Sequence, residues 1–105
     1  MTNIRDNSLQ QLYTALAGIP PGKVVTYGQL AALAGRPAGA RWAGRVLSQL
    51  PKDTQLPWHR VINAQGRISF PPDSAAFVRQ QSLLLAEGVE FSASGRICFK
   101  RFGLN

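Results

Sequence analysis

Residues 56–61 read Leu-Pro-Trp-His-Arg-Val and contain the one histidine of the chain, His59. An imidazole in such a turn commonly activates a neighbouring thiol or hydroxyl by taking its proton. The neighbour here is Trp58, whose indole cannot serve as that nucleophile. The one cysteine, Cys98, lies far downstream between Ile97 and Phe99, in a strand-like setting where a buried, inert thiol is expected. A single Cys excludes an intrachain disulfide, and one His with one Cys does not make the usual zinc site. No glycine loop of the P-loop or dinucleotide type is present. No metal and no cofactor are therefore expected.

Charge points to a different chemistry. Twelve Lys and Arg against five Asp and Glu give a net charge of +7, and no acid occurs between Asp6 and Asp53. Lys23, Arg36, Arg41, Arg45 and Lys52 are thus unopposed by local acids, which favours a polyanionic partner, nucleic acid first. A basic surface serving solubility alone is the competing reading. The length, 105 residues, fits one domain spanning 1–105 with a modest core. The opening residues have no apolar run suited to a signal peptide. The longest aliphatic run, Leu83-Leu84-Leu85-Ala86, is far short of the roughly 20 residues of a membrane helix. A cytoplasmic protein without membrane association is expected.

The elements that must position these residues follow from pattern. Asn7 or Ser8 can cap a first helix carrying Leu9, Leu12, Tyr13 and Leu16, ended by Gly18 and Pro20-Pro21. After a short extended piece at Val24-Val25, Thr26 caps a second helix with Leu30, Leu33 and Ala34 as its apolar stripe, closed by Gly35. A third helix over 40–50 sets Ala40, Ala43, Leu47 and Leu50 on one face and Arg41, Arg45 and Ser48 on another. Two short helices about a glycine-containing turn have the pattern of a helix-turn-helix. Residues 60–69 read as two strands about Asn63-Ala64-Gln65-Gly66, resembling a wing. Asp73 or Ser74 caps a fourth helix whose pairs Phe77/Leu84 and Val78/Leu85 mark the apolar side, and Gly88 stops it. A terminal hairpin about Ser92-Ala93-Ser94-Gly95 is expected last. The fold class is α+β, mainly helical: a winged helix-turn-helix-like DNA-binding domain with small strands.

Three stretches, Ile19-Pro-Pro-Gly-Lys-Val-Val-Thr-Tyr-Gly28, Gly39-Ala-Arg-Trp-Ala-Gly44 and Leu56-Pro-Trp-His-Arg-Val61, resemble the DNA-binding domain of the O6-alkylguanine-DNA alkyltransferases. Leu83-Leu84-Leu85-Ala86-Glu87-Gly88 completes the ordered set, and the resemblance spans roughly residues 8–91. In the repair enzymes of that family the residue between Pro and His-Arg is the cysteine that accepts the alkyl group. Trp58 stands there, as in the alkyltransferase-like proteins, which lack the acceptor and bind alkylated DNA without repairing it.

The resemblance implies roles position by position. Tyr27 crowds the phosphate beside the target nucleotide, and Arg41 enters the duplex in place of the extruded base. Thr26, Gln29, Ala40 and Arg45 complete the DNA-binding set. Trp58, Tyr27, Val61, Ser69 and Phe70 form the lesion pocket, the last two on a lid whose Pro71-Pro72 departs from the enzymes. Arg60 holds the loop together, with Ile62 and Asn63 in support. His59 and Glu87 match the relay that activates the missing thiol and are expected as its structural remnant. Leu50-Pro51 replaces the usual Asn-Pro. The implied function is non-enzymatic recognition of O6-alkylguanine in double-stranded DNA by nucleotide flipping, by a monomer, with hand-over to nucleotide excision repair proteins. The alternative is a helix-turn-helix regulator reading base sequence through Arg41, Arg45 and Gln49, without lesion specificity. Hydrolysis by His59 and Glu87 lacks any second activated group.

Overall fold

The computed structural model describes residues 7–104. The elements are α1 (Asn7–Ala17), β1 (Val25–Thr26), α2 (Tyr27–Leu33), α3 (Ala40–Ser48), a 3-10 turn (Trp58–Arg60), β2 (Val61–Ile62), α4 (Ala75–Ala86) and a short α5 (Phe99–Phe102). The molecule is mainly helical, with one two-stranded sheet at its centre.

The starts of α2 and α4 are set by local side-chain caps. Thr26 Oγ1 accepts from the Gln29 N–H at 3.0 Å, and Gln29 Oε1 accepts from the Thr26 N–H at 2.8 Å, so two N–H donors that would be orphaned at the start of α2 are each satisfied by the other residue's side chain. Ser74, rather than Asp73, caps α4 by accepting from Phe77 N–H. Gly39 precedes α3 with no side-chain cap. A Cβ there would stand 3.0 Å from the Cβ of Arg36 and 3.4 Å from that of Ala31, so the turn between α2 and α3 is closed too tightly for a larger residue. Ala31, Ala34 and Ala43 are fully buried, and these small side chains let α2 and α3 pack closely as a helix-turn-helix.

The sheet organises the core. β1 and β2 run parallel, with Val25 opposite Val61 and Thr26 opposite Ile62. Successive strand residues point to opposite sides. Val25 and Val61 accordingly enter a cluster with Leu12, Leu16, Ile19, Leu30 and Val46, while Val24 and Ile62 enter a second with Ile68, Leu84, Val89 and Ile97. A parallel pair buried on both faces reads as continuous aliphatic sequence, as 24–25 and 61–62 do. The chain end completes this sheet edge: Val24 N–H donates to Phe102 O at 2.8 Å and Leu104 N–H to Val24 O at 3.2 Å.

Several expectations are corrected. β2 pairs with β1 and not with 67–69; what remains of the expected wing is a turn closed by Asn63 N–H donating to Arg67 O at 2.9 Å. Leu33 is exposed, and Ala31 takes its place inside α2. On α3 the buried residues are Ala43 and Val46, whereas Ala40 is exposed. On α4, Phe77 and Leu84 face the core but Val78 and Leu85 are more than half exposed. The terminal hairpin shrinks to one antiparallel bridge, Phe91 with Ile97, after which the chain turns into α5. Cys98 is consequently exposed rather than buried. Asn7 and Ser8 lie in the first turn of α1, and the position that would cap it falls outside the described residues.

Candidate nucleic-acid interface

A cleft of about 540 Å³ opens between the start of α2, one side of α3 and the loop carrying Trp58. Tyr27 and Gly28 form one wall, Ala40, Arg41 and Gly44 a second, and Trp58, Ser69 and Phe70 the far side. α3 therefore turns Ala40 and Gly44 toward the opening, where sequence spacing places Ala40 on the face of Ala43; Leu47 borders the cleft and also packs against the core. Gly44 keeps this wall low. A Cβ there would lie 3.8 Å from the Tyr27 ring, an ordinary contact, so nothing forbids a side chain and its absence widens the cleft.

Two contacts fix the shape of the cleft. The Tyr27 hydroxyl and Ser69 Oγ share a hydrogen bond at 2.9 Å, tying the helix-turn-helix to the segment that covers the cleft. Trp58 meets Phe70 edge to face, with centroids 6.5 Å apart and planes at 81°, and meets His59 likewise at 6.0 Å and 87°. Both geometries are favourable for aromatic quadrupoles.

Behind Trp58 stands a charged cluster. His59, only 9% exposed, shares a 2.8 Å hydrogen bond between its Nε2 and Glu87 Oε2. Arg60 donates to the same carboxylate through Nε at 2.9 Å and Nη2 at 2.6 Å, and its Nη1 reaches Ile19 O at 2.6 Å. Gly22 N–H donates to Glu87 Oε1 at 3.1 Å. Gly22 takes φ of +84°, and a Cβ there would approach Glu87 O to 3.2 Å, so this link needs glycine. Burial pushes the Glu87 carboxyl upward, but donation from Arg60, His59 and the Gly22 amide outweighs it and lowers the pKa from 4.5 to about 2. Glu87 is an ion held by five donor contacts. The cluster braces the turn that presents Trp58.

The other expected site residues fall in distinct places. Thr26 lines the cleft edge while capping α2, and Gln29 beside it is exposed. Arg45 is exposed on α3, one turn beyond Arg41, and does not line the cleft. Val61 does not line it either: at 1% exposure it belongs to the core, because β2 pairing turns it away from the opening. Trp42 packs against the core with the Arg36 guanidinium 4.4 Å above its ring. Gln80 was missed. Its Nε2 donates to the carbonyls of His59 and Val61, both at 3.0 Å, so α4 grips the Trp58 loop by its backbone. The signal was available, since Gln80 sits between Phe77 and Leu84 on the buried face of a helix, where an amide needs a partner.

Two helices about a tight turn, uncapped at the start of the second, with an arginine at the mouth of an aromatic cleft, define a helix-turn-helix nucleic-acid-binding domain with a built-in pocket. Residues 7–89 match the 6-O-methylguanine DNA methyltransferase, DNA binding domain family, and the chain belongs to that family. It is 48% identical over 101 residues to a DNA base-flipping protein of Escherichia coli K12, covering 95% of this chain and 76% of that one. It is 45% identical over 85 residues to alkyltransferase-like protein 1 of Schizosaccharomyces pombe, covering 81% of this chain and 79% of that one. Its fold superposes on the crystal structure of S. pombe Atl1 in complex with damaged DNA containing O6-carboxymethylguanine, with a TM-score of 0.83 and 38% identity over 95% of this chain and 96% of the other. Among the described residues no helix is long and apolar enough to cross a membrane, and no three His, Cys, Asp or Glu side chains are grouped for a metal ion.

Proposed function

We propose that this protein recognises O6-alkylguanine in double-stranded DNA by drawing the modified nucleotide out of the stack into the Tyr27–Trp58 cleft, and that it transfers nothing to itself. The observation that carries this reading is the cleft wall: an indole, in edge contact with the ring of His59, lines the cavity, and no thiol does. Cys98 is exposed and is not one of the lining residues. The relatives named for base flipping, and the related fold bound to damaged DNA, support the same substrate class.

Turning a nucleotide out costs a few kcal/mol of unstacking, which contacts in the protein must offset. Tyr27 and Thr26, at the start of α2, crowd the backbone beside the target. Arg41 fills the vacated space; its planar guanidinium stacks on bases and still donates hydrogen bonds. Ala40 contributes through the uncapped start of α3, where free N–H groups suit a phosphate. Gln29 and Arg45 flank these contacts on the backbone. Trp58 and Phe70, in edge-to-face contact on the far side of the cleft, offer the base an aromatic wall, and stacking of this kind is worth about 1–3 kcal/mol per base. Ser69 holds the lid closed through Tyr27. His59 and Glu87 act as a brace, with no thiol between them and the base to activate.

The protein works as a monomer and presents the complex to nucleotide excision repair. Lesion-bearing duplex with 2-aminopurine beside the O6-methylguanine tests the first part. Fluorescence rises on binding as the neighbour unstacks, and the protein mass and the lesion are both unchanged afterwards. A protein that gained a methyl group would contradict the reading. Pull-down with the bound lesion duplex recovers excision-repair proteins; recovery equal to that on undamaged DNA would refute the hand-over.

A further inference from the structure

The cleft has a continuation. On the far side of Trp58 lies a second cavity of about 470 Å³, and it shares Leu47, Ser48, Trp58 and Phe70 with the first. Of these four, Trp58 and Phe70 meet edge to face, and with Leu47 and Ser48 they border both spaces. Phe70 is 38% exposed and follows Ser69 on the covering segment.

The second cavity differs from the first in charge. Its far rim carries Lys52 and Arg79, both exposed, and no acidic residue lines it. Among the described residues neither cation has a carboxylate partner. Ala75 and Ala76, in the first turn of α4, form another side, so the helix dipole has the same sign as the two side chains. The second cavity is thus a mostly apolar space with two cations at its edge.

The geometry points to a specificity subsite: O6 substituents long enough to pass the Trp58–Phe70 edge, and ending in a carboxylate or similar anion, are selected over neutral substituents of equal length by Arg79 and Lys52. This rests on the lesion-binding function proposed above and adds the class of adduct favoured. A methyl group ends in the first cavity and does not sense the second. An extended chain lays its methylenes against Trp58 and Leu47 and delivers its terminal charge to a guanidinium that can take it in a bidentate fork.

The test is binding, at one fixed salt concentration, to four duplexes differing at one base: guanine, O6-methylguanine, O6-butylguanine and O6-(3-carboxypropyl)guanine. The wild-type protein binds the carboxypropyl adduct about two- to fivefold more tightly than the butyl adduct, the range expected for a partly solvated ion pair. In R79Q, and more so in K52Q/R79Q, that ratio falls to one while the ratio of O6-methylguanine to guanine is kept. A general loss of phosphate attraction would weaken all four alike and leave the ratio intact. Equal binding of the butyl and carboxypropyl adducts by the wild type, or a ratio unmoved in the double variant, would overturn the subsite. Loss of preference between O6-methylguanine and guanine in the wild type would instead overturn the function on which it rests.

Discussion

Glu87 shows how one residue can keep a turn in place. Its carboxylate gathers His59, Arg60 and the Gly22 amide, and the ionised form is the one they stabilise, with a pKa near 2 against an ordinary 4.5. A carboxyl depressed in the folded state contributes stability fully above its unfolded value. As pH falls the unfolded chain takes up the proton first, so the contribution is lost between about 4.5 and about 2. Chemical denaturation from pH 7 to pH 2.5 is expected to show this loss for the wild type, and Glu87→Gln to flatten that part of the profile. At neutral pH Glu87→Gln lowers stability by about 2–3 kcal/mol, because Arg60 and Gly22 keep their buried donors with a weaker acceptor. Tyr27→Phe is milder. It removes the 2.9 Å bond to Ser69, about 1 kcal/mol, and loosens the lid, so the dissociation rate of lesion DNA rises severalfold and the melting temperature falls by a few degrees.

At the scale of elements, α3 carries a conflict between stability and the cleft. Gly44 lies in mid-helix, where glycine costs about 0.5–1 kcal/mol relative to alanine, and there is room for a Cβ. Gly44→Ala is therefore expected to raise the melting temperature by several degrees and to weaken binding of lesion DNA by narrowing the wall against Tyr27. Thermal denaturation and a binding isotherm on the same variant measure both. The α4 helix acts through Gln80, and Gln80→Leu leaves the carbonyls of His59 and Val61 without donors, at a cost of about 1–3 kcal/mol.

What the sequence made legible follows the same line between local and distant. The caps at Thr26 and Ser74 and the stops at Gly35 and Gly88 are set by neighbours a few residues away, and they could be placed from residue types alone. The pairing of Val25 with Val61 joins two-residue strands too short to show a period, so Val61 was assigned to the pocket when it belongs to the core. On α4 both i, i+7 pairs looked alike, and only the packing of Ile62 and Val89 around Leu84 chooses between them. Cys98 misled because Phe99–Phe102 coils to bring Gly103 beside Val24, a contact nothing near Cys98 announces. Tyr27, Trp58, Ser69 and Phe70 border one cleft, while Arg45 and Gln29, expected on the DNA-binding surface and not in the pocket, are exposed beside it.

For the whole molecule, a charge of +7 makes attraction to DNA strong and nonspecific, so affinity alone says little about recognition. Arg45 and Arg41 lie one helical turn apart on α3 and separate the two effects. Arg45→Ala is expected to weaken binding to damaged and undamaged duplex alike and to reduce the salt slope of log K by about 0.9, the loss of one phosphate contact. Arg41→Ala, at the mouth of the cleft, removes the preference itself.

That difference supplies the most direct test of the central claim. Affinity is measured for one duplex carrying a single O6-methylguanine and for its unmodified twin, at the same salt, with the wild type and Arg41→Ala side by side. Recognition by flipping predicts much tighter binding to the lesion by the wild type, and a ratio near one for Arg41→Ala. Equal affinity of the wild-type protein for the two duplexes would contradict it and leave the Trp58 cleft without a ligand.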